Sequence, residues 1–345
     1  MDVSEKAMRK HLPTFACLVA AVTAICVLPS AVETFTLVEF TVYAIMAIFS
    51  LSLAFAWGYG GILCFGQAAF FGAGAYAYAI GVLNVGESTV AMLLAVAVPM
   101  LLATVLGYFM FFGRISDVYL GVVTLTVTLI LYNLANSTSG DQYRIGAAVL
   151  GGFNGMPSLP TLNVPGSPGR LLDSVQMFQV CVVCLASVYI GLRALLSAHF
   201  GRVVVAVREN ELRANLLGYD ARKYKLGAFV ISGGIAGLAG GLFANWGAFT
   251  SPTVFGLAQS AQAIIWVIVG GVGTLLGPVI GCIAIQWLTA YLGTIGWVNP
   301  NLVLGLILVL FVLTIPKGLA PILFMPFQWL LRQRSQVGNH EGRIP

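Results

Sequence analysis

Long apolar runs separated by short polar stops dominate the chain, and most approach the roughly 20 residues that a helix needs to cross a bilayer core. Ten spans are predicted, at about 12–32, 36–57, 60–83, 89–112, 118–135, 175–197, 226–246, 257–272, 276–293 and 298–316. No run alternates polar and apolar residues in the way a lipid-facing strand does, and helices satisfy their own backbone hydrogen bonds in lipid. The expected fold class is therefore all-α, a polytopic transmembrane helical bundle. From Leu226 to Pro316 there is no Lys, Arg, Asp, Glu or His. Immediately before that stretch, Arg202–Lys225 forms a charged island holding six of the 17 Lys and Arg residues.

Composition agrees with the pattern: hydrophobic residues make up 59% and charged residues 8%, against about 25% charged in a soluble domain. Orientation follows from the excess of Lys and Arg expected on the cytoplasmic side. With both termini in the cytoplasm, 15 of the 17 basic residues are inside and only Arg144 and Arg170 face out. The chain then divides into an N-terminus (1–11), helices 1–5 (12–135), a periplasmic loop (136–174) and helix 6 (175–197). A cytoplasmic loop (198–225), helices 7–10 (226–316) and a cytoplasmic tail (317–345) complete it. The basic start and the apolar run Phe15–Leu28 also fit a signal peptide. A retained helix is expected, because no small-x-small cleavage site follows the run.

The loop after the fifth span is rich in Gly, Pro, Ser and Asn, includes GGFNGMPSLP at 151–160, and reads as a surface loop or short lid. Six spans precede the island and four follow it; a division into two halves of five would give halves of inverted orientation, a common transporter device. The internal similarity is weak, between GGILCFGQAAFFGAGAYA from Gly60 and GGVGTLLGPVIGCIAIQW from Gly270. Glycines crowd the third and seventh spans, where small residues let helices approach closely. Around Gly58–Gly66 and Gly270–Pro278 they are denser than packing requires, so broken or re-entrant helices are expected there. Gly66, Gln67, Asn245, Gln259 and Gln262 are candidate pore-lining residues, with Gln286 a further polar group. For each side chain two roles stay open, a path-lining group or an interhelical hydrogen bond.

Reactive constellations are absent from the sequence. The histidines His11, His199 and His340 lie at span edges or in a tail, and Glu39 is the only acid near a span interior. That argues against an ion-coupled pump, which needs ionisable groups in its spans. The segment GVGTLLGP at 271–278 lacks the Lys of a phosphate-binding loop. All six cysteines sit in apolar spans; Cys181 and Cys184, spaced C-x-x-C, are expected to pack as small hydrophobes. No metal site, catalytic residue or cofactor bound by this chain is expected, and energy must come from a partner unless the protein is a passive channel.

Within the island, Val205–Leu217 is predicted to form a short amphipathic helix. Glu209 and Arg213 stand at i,i+4, Leu212 and Leu216 share an apolar face, and Gly218 is placed to end the helix in a left-handed turn. Such a helix lies on headgroups or inserts into a partner's groove, unless the loop's charges merely fix topology.

The sequence resembles the M-type membrane subunits of bacterial ABC importers for branched-chain amino acids, over about Tyr43–Lys317. It carries GQAAFFGAGAY at 66–76, VYLGVVTLTVTLI at 118–130 and GGFNGMPSLP at 151–160. The most specific marks are AVRENELRANLLGYDARKYKLGAFVISGGIAGLAGGLFA at 206–244, SP at 251–252 and GGVGTLLGPVIG at 270–281. The resemblance implies a pore built with a homologous permease subunit, two cytoplasmic ABC ATPase subunits that bind ATP and Mg, and a periplasmic substrate-binding protein, with membrane lipid around it and no nucleic acid. It also implies a multi-pass protein of the bacterial inner membrane. Glu211, Ala214 and Gly218 match the family's E-x-x-A-x-x-x-G coupling element. With Arg208, Glu209, Leu212 and Leu216 they form the expected ATPase-coupling surface. Gln67 stands where a His is frequent, the external loop is long, and the tail after Lys317 is extended. Related permeases serve urea and short amides, so the substrate stays open between these and branched-chain amino acids. An energy-independent channel, for which the island is dispensable, and a scaffold or receptor with no path are the alternatives of other classes.

Overall fold

The computed structural model describes residues 18–164 and 167–295, together with isolated positions between 302 and 309. Most of the tenth expected span, 298–316, and both termini lie outside the described residues. Helix α1 (Leu18–Ala31) is followed by α2 (Thr34–Gly58), α3 (Gln67–Val85), α4 (Ser88–Phe112), α5 (Asp117–Ser137) and α6 (Ser174–Ser197). Then come α7 (His199–Glu209), α8 (Glu211–Leu216), α9 (Ala221–Gly247), α10 (Leu257–Gly270) and α11 (Leu276–Ile295). Among the described residues seven helices are long and apolar enough to span a bilayer: α2, α3, α4, α5, α6, α9 and α11. The protein is thus a multi-pass helical bundle.

Three helices form its centre. α2 is the most enclosed, with Ile45, Ile48, Phe49, Leu51, Leu53 and Phe55 fully buried. α3 and α9 cross at van der Waals distance because glycines remove the side chains between them. A Cβ on Gly74 would strike the Gly237 carbonyl, and one on Gly240 would strike the Phe71 carbonyl. α4 packs against both α3 and α9, and it contains Pro99. A helical proline displaces the carbonyl four residues earlier, here that of Ala95, and Gly237 lies directly against that oxygen. α1 leans on this centre through Ala21, Ala24, Ile25 and Leu28. An apolar crevice of about 400 Å³ separates it from α2, α6 and α11.

The two ends of the bundle differ. One carries the Arg114 corner between α4 and α5 together with α7 and α8; the other carries the long loop between α5 and α6. This loop holds two short antiparallel hairpins, Arg144–Ile145 with Ala148–Val149 and Asn163–Val164 with Ser167–Leu171. Side chains tie it down: Asn84 Nδ2 donates to the Ile145 carbonyl (2.9 Å) and Asn84 Oδ1 accepts from Ala147 N–H (2.8 Å). The Tyr78 hydroxyl donates to the Pro160 carbonyl at 3.2 Å. A backbone bridge between Met156 and Thr250 adds the α9–α10 connection to the same cap.

Two sequence expectations need correction. The third span begins at Gln67, not Gly60, because residues 59–66 are not helical. The second concerns inversion. The segments from Gly60 and Gly270 both leave a helix break at the same, basic end of the bundle and lead into α3 and α11. A Cβ on Gly58 would stand 2.9 Å from Gly273 N, so the breaks touch. The two similar segments therefore run in the same sense, and they do not support an inverted repeat.

Candidate functional site

The backbone breaks where glycine density anticipates it. After Gly58, the N–H groups of Gly60, Gly61 and Ile62 fold back onto the carbonyls of Phe55, Trp57 and Ala56, which terminates α2. Residues 61–64 have no regular secondary structure, and Gly61 is left-handed with φ +70°. Helix α3 starts beside Ser52, six residues before the end of α2, hence about 9 Å inside at 1.5 Å per residue. A second interruption lies opposite. After α9 the chain turns at Ala248 and passes through a 3-10 turn at Pro252–Phe255 packed on Gly72 and Tyr76. Only then does the 14-residue α10 begin. The expected 257–272 span is accordingly a partial one.

These interruptions bring two helix N-termini together inside the protein. The Ala68 N–H in the first turn of α3 donates to Ser260 Oγ in the first turn of α10, at 3.0 Å. Unpaired N–H groups and the helix dipole make such ends partially positive. Gln67 is fully buried here; its Nε2 donates to Ser52 Oγ (2.8 Å) and Ser232 Oγ (3.0 Å), joining α3 to α2 and α9. Its Oε1 has no partner. Gly66 lies against the Thr124 carbonyl of α5, where a side chain has no room. Next to it, Phe65, Leu125, Leu257, Ser260, Ala261, Ile264 and Ile265 line a cavity of about 290 Å³.

Other expected polar residues fall elsewhere. Asn245 is buried near the loop end, where its Nδ2 donates to Tyr78 Oη at 2.8 Å and its Oδ1 has no partner. It lines a separate cavity of about 110 Å³ with Thr41, Thr161 and Ser174. Gln259 is half-buried, its Nε2 3.4 Å from Met46 Sδ, and Gln262 and Gln286 are half-buried too. Thus Gly66 and Gln67 sit beside the meeting of α3 and α10, Gln259 and Gln262 flank Ser260 on α10, and Asn245 and Gln286 belong to other places. Ser52, Ser232, Ser260 and Phe65 were missed by the sequence reading. Single hydroxyls and aromatics in apolar spans are too common to mark a site.

The charged island is built differently from its expected single helix. Asn210 adopts an extended conformation, and its side chain accepts from Arg213 N–H (2.8 Å), making it the N-cap of α8. Asn is a strong N-cap, so Val205–Leu217 becomes two helices meeting at a corner. Glu209 consequently pairs with Arg208 (3.6 Å), not Arg213, and Glu211 pairs with Lys225 of α9 (2.6 Å). The left-handed turn falls where Gly218 predicts it, with φ +89°. Tyr219 N–H reaches Ala214 O and Gly218 N–H reaches Asn215 O, the paired bonds of a Schellman ending.

Two faces result. Ala214 is buried with Val203, Val207 and Ala221, which fixes α8 to α7 and α9. Leu212, Leu216 and Leu217 are instead 77%, 88% and 71% exposed. Arg208 points the other way: its guanidinium donates to the Gly58 carbonyl that ends α2, and Gly61 lies against its side-chain stem. One residue of the island thus touches the break from which α3 departs, and that break touches Gly273 of the second.

Comparison with known proteins agrees with this architecture. The family described as the branched-chain amino acid transport system permease component matches residues 35–315. The chain is 29% identical over 309 residues to the high-affinity branched-chain amino acid transport system permease protein LivM of Escherichia coli, covering 81% of this chain and 69% of that protein. The Salmonella typhimurium LivM protein is 28% identical over the same shares. The inner membrane ABC transporter permease protein YjfF of E. coli is 27% identical, over 73% of this chain and 74% of that protein. No solved structure matches. With its matched region embracing the helix breaks, the charged island and the α3–α10 meeting point, the chain belongs to the branched-chain amino acid permease family, as an M-type membrane subunit.

Proposed function

We propose that this chain is the transmembrane subunit of an ATP-driven importer of branched-chain amino acids in a bacterial inner membrane. Its basic end faces the cytoplasm and carries two ABC ATPase subunits; a homologous permease completes the path, and a periplasmic binding protein delivers substrate at the loop end. Three exposed leucines on a helix set in a charged loop suit the apolar groove of a partner. Arg208 makes that helix more than a tether, because its grip on Gly58 joins the docking element to the helix break inside the bundle. This joint is the observation that carries the proposal, since a passive channel needs no rod between a docking helix and its own broken helices.

The converging N-termini of α3 and α10 favour an amino acid over urea. Partial positive charge there attracts a carboxylate, and the unpartnered Gln67 Oε1 is an acceptor suited to an ammonium group. A neutral amide, with no net charge, gains less from the dipoles than a carboxylate does. The decisive experiment is co-purification of ATPase subunits from native membranes with the wild-type chain and with Glu211→Lys. That substitution replaces the ion pair to Lys225 with like charges and alters the docking face. Loss of the ATPase from an otherwise intact variant supports the importer; a wild-type chain that never carries an ATPase leaves a channel instead.

A further inference from the structure

Neither the Ser251–Pro252 pair nor the GGFNGM stretch at 151–156 belongs to the docking face or to the converging helix ends, yet the fold brings the two together. A side chain on Gly155 would strike Thr250 and Ser251. Met156 and Thr250 exchange backbone hydrogen bonds at 2.7 and 3.2 Å, and Leu159 N–H donates to the Ala248 carbonyl at 2.9 Å. The external loop thus holds the first residues of the α9–α10 connection. That connection enters the membrane, because the 14 residues of α10 rise only about 21 Å and the hydrocarbon core is roughly 30 Å thick. Irregular backbone at such depth is buried in protein or lines a water-filled cavity.

Phe255, at the end of the connection, fills a notch in α3. Ala68, Gly72 and Tyr76 recur every four residues and share one face of that helix. Ala68 N–H reaches Ser260 Oγ, a side chain on Gly72 would strike the Phe255 ring, and the Tyr76 ring centroid lies 5.4 Å from that of Phe255. Phe255 is buried and therefore sits on α3 directly outward of the α3–α10 meeting point. The cavity of about 290 Å³ that contains Ser260 and Ala261 lies on its inner side, and the external loop on its outer side.

Polar atoms around this plug lack partners. Tyr76 Oη, Thr250 Oγ1 and Asn136 Oδ1 are buried without a hydrogen bond, with Tyr76 9% and Thr250 1% exposed. Asn136 belongs to the end of α5, which packs against the Pro252–Phe255 turn and, at Ser139 just beyond it, meets Gly152 of the external loop. Buried polar side chains nearly always find a partner. Orphans on three elements that close around one aromatic ring mark a place where a polar guest belongs.

We infer that Phe255 is the external gate of the substrate path, and that Tyr76, Thr250 and Asn136 receive the charged ends of an amino acid when the ring leaves the Gly72 notch. The inference rests on the proposed function, which makes the α3–α10 helix ends the substrate's destination, and it adds the way in. The two hydroxyls donate to a carboxylate, and the Asn136 oxygen accepts from an ammonium group. Ala248, left-handed with φ +46°, and Gly256 flank the segment that swings. The bonds from Met156 and Leu159 make the external loop its handle.

The test uses spheroplasts carrying the assembled transporter, its native cysteines replaced by alanine and Ala261→Cys added on the inner side of the gate. A membrane-impermeant maleimide is applied from outside. Labelling is expected to be slow with Phe255 in place and to rise about ten- to hundredfold in Phe255→Ala, the weight of one buried aromatic side chain in the closed state. Gly72→Leu added to Phe255→Ala refills the notch and returns the rate towards that of the closed gate. Tyr76→Phe and Thr250→Val probe the polar contacts without touching the ring, and they decide the matter if Phe255→Ala does not fold. Each is expected to lower ATP-driven leucine uptake about tenfold, the loss of one hydrogen bond to a charged group. Thermal unfolding stays unchanged or rises, because each deletes an orphaned hydroxyl, whereas a structural role would lower it. Equal labelling with and without Phe255, no slowing by Gly72→Leu, or uptake untouched by both hydroxyl deletions overturns the gate and leaves the destination standing. No labelling in any variant of a transporter that still takes up leucine overturns the destination as well.

Discussion

Replacing Gln67 with Leu separates stability from transport in a way the structure makes quantitative. The substitution deletes two neutral hydrogen bonds, to Ser52 and Ser232, each contributing about 0.5–1.5 kcal/mol net. It also deletes the buried, unpartnered Oε1, whose desolvation costs about 1–3 kcal/mol. No donor is orphaned, since Ser52 Oγ still donates to the Phe49 carbonyl (2.6 Å) and Ser232 Oγ to the Ser52 carbonyl (2.8 Å). The contributions offset, and folding stability is expected to stay within about 1 kcal/mol of wild type. Opening of the α3 N-terminus to water or substrate is another matter. Wild type exposes an amide that water satisfies, whereas the variant exposes a leucine at about 1.5–3 kcal/mol. The open conformation should therefore fall by about 10- to 150-fold, at 1.4 kcal/mol per tenfold. The assay is ATP-driven uptake of labelled leucine into proteoliposomes of the assembled transporter, beside thermal unfolding of the same preparation. Unchanged unfolding with uptake within twofold of wild type would show that this helix end never opens, and Gln67 would then be a packing residue. A collapse in stability would refute the hydrogen-bond accounting itself.

Four other outcomes follow from specific geometry. Gly218 has φ +89° with no atom near its missing Cβ, so Gly218→Ala should cost about 1–2 kcal/mol of local strain and lower the ratio of uptake to ATP hydrolysis only modestly. Gly218→Pro cannot reach that φ and loses the N–H bonded to Asn215 O, so it should uncouple hydrolysis from uptake in the same proteoliposomes while the chain still assembles. Arg208→Ala is expected to leave ATPase binding intact but reduce uptake per ATP hydrolysed, with partial recovery in Arg208→Lys; equal losses in binding and uptake would instead place Arg208 on the docking face. Gly240→Val drives a side chain into the Phe71 carbonyl, and detergent extracts should yield no monodisperse protein, a result that solubility and size-exclusion profiles read directly.

How much was legible in the sequence depended on how local the signal was. A polytopic helical bundle was legible because hydrophobicity accumulates over a whole span, and lipid leaves helices few alternatives. The breaks near Gly58–Gly66 and Gly270–Pro278 were visible because glycine density is a property of neighbours in sequence. The turn at Gly218 was visible for the same reason, since a left-handed residue at a helix end selects glycine. Asn210 was misread: the i,i+4 pairing of Glu209 and Arg213 suggested one helix, while the capping side chain and the Glu211–Lys225 pair, 14 residues apart, made two. The three-residue step from Asn210 to Arg213 already contained that cap, but nothing local made it prevail over helix continuity.

The sequence by itself thus determined the helical class, the location of its interruptions and the concentration of charge at one end of the bundle. Only the tertiary structure decided what those interruptions do. That α3 begins beside Ser52, that Ala68 meets Ser260 across 192 residues, and that Arg208 closes on Gly58 across 150 are facts of packing. The physical reason is one of range. Burial in lipid and backbone conformation act through neighbouring residues, whereas a buried hydrogen bond or a close helix crossing depends on which distant surfaces fit together.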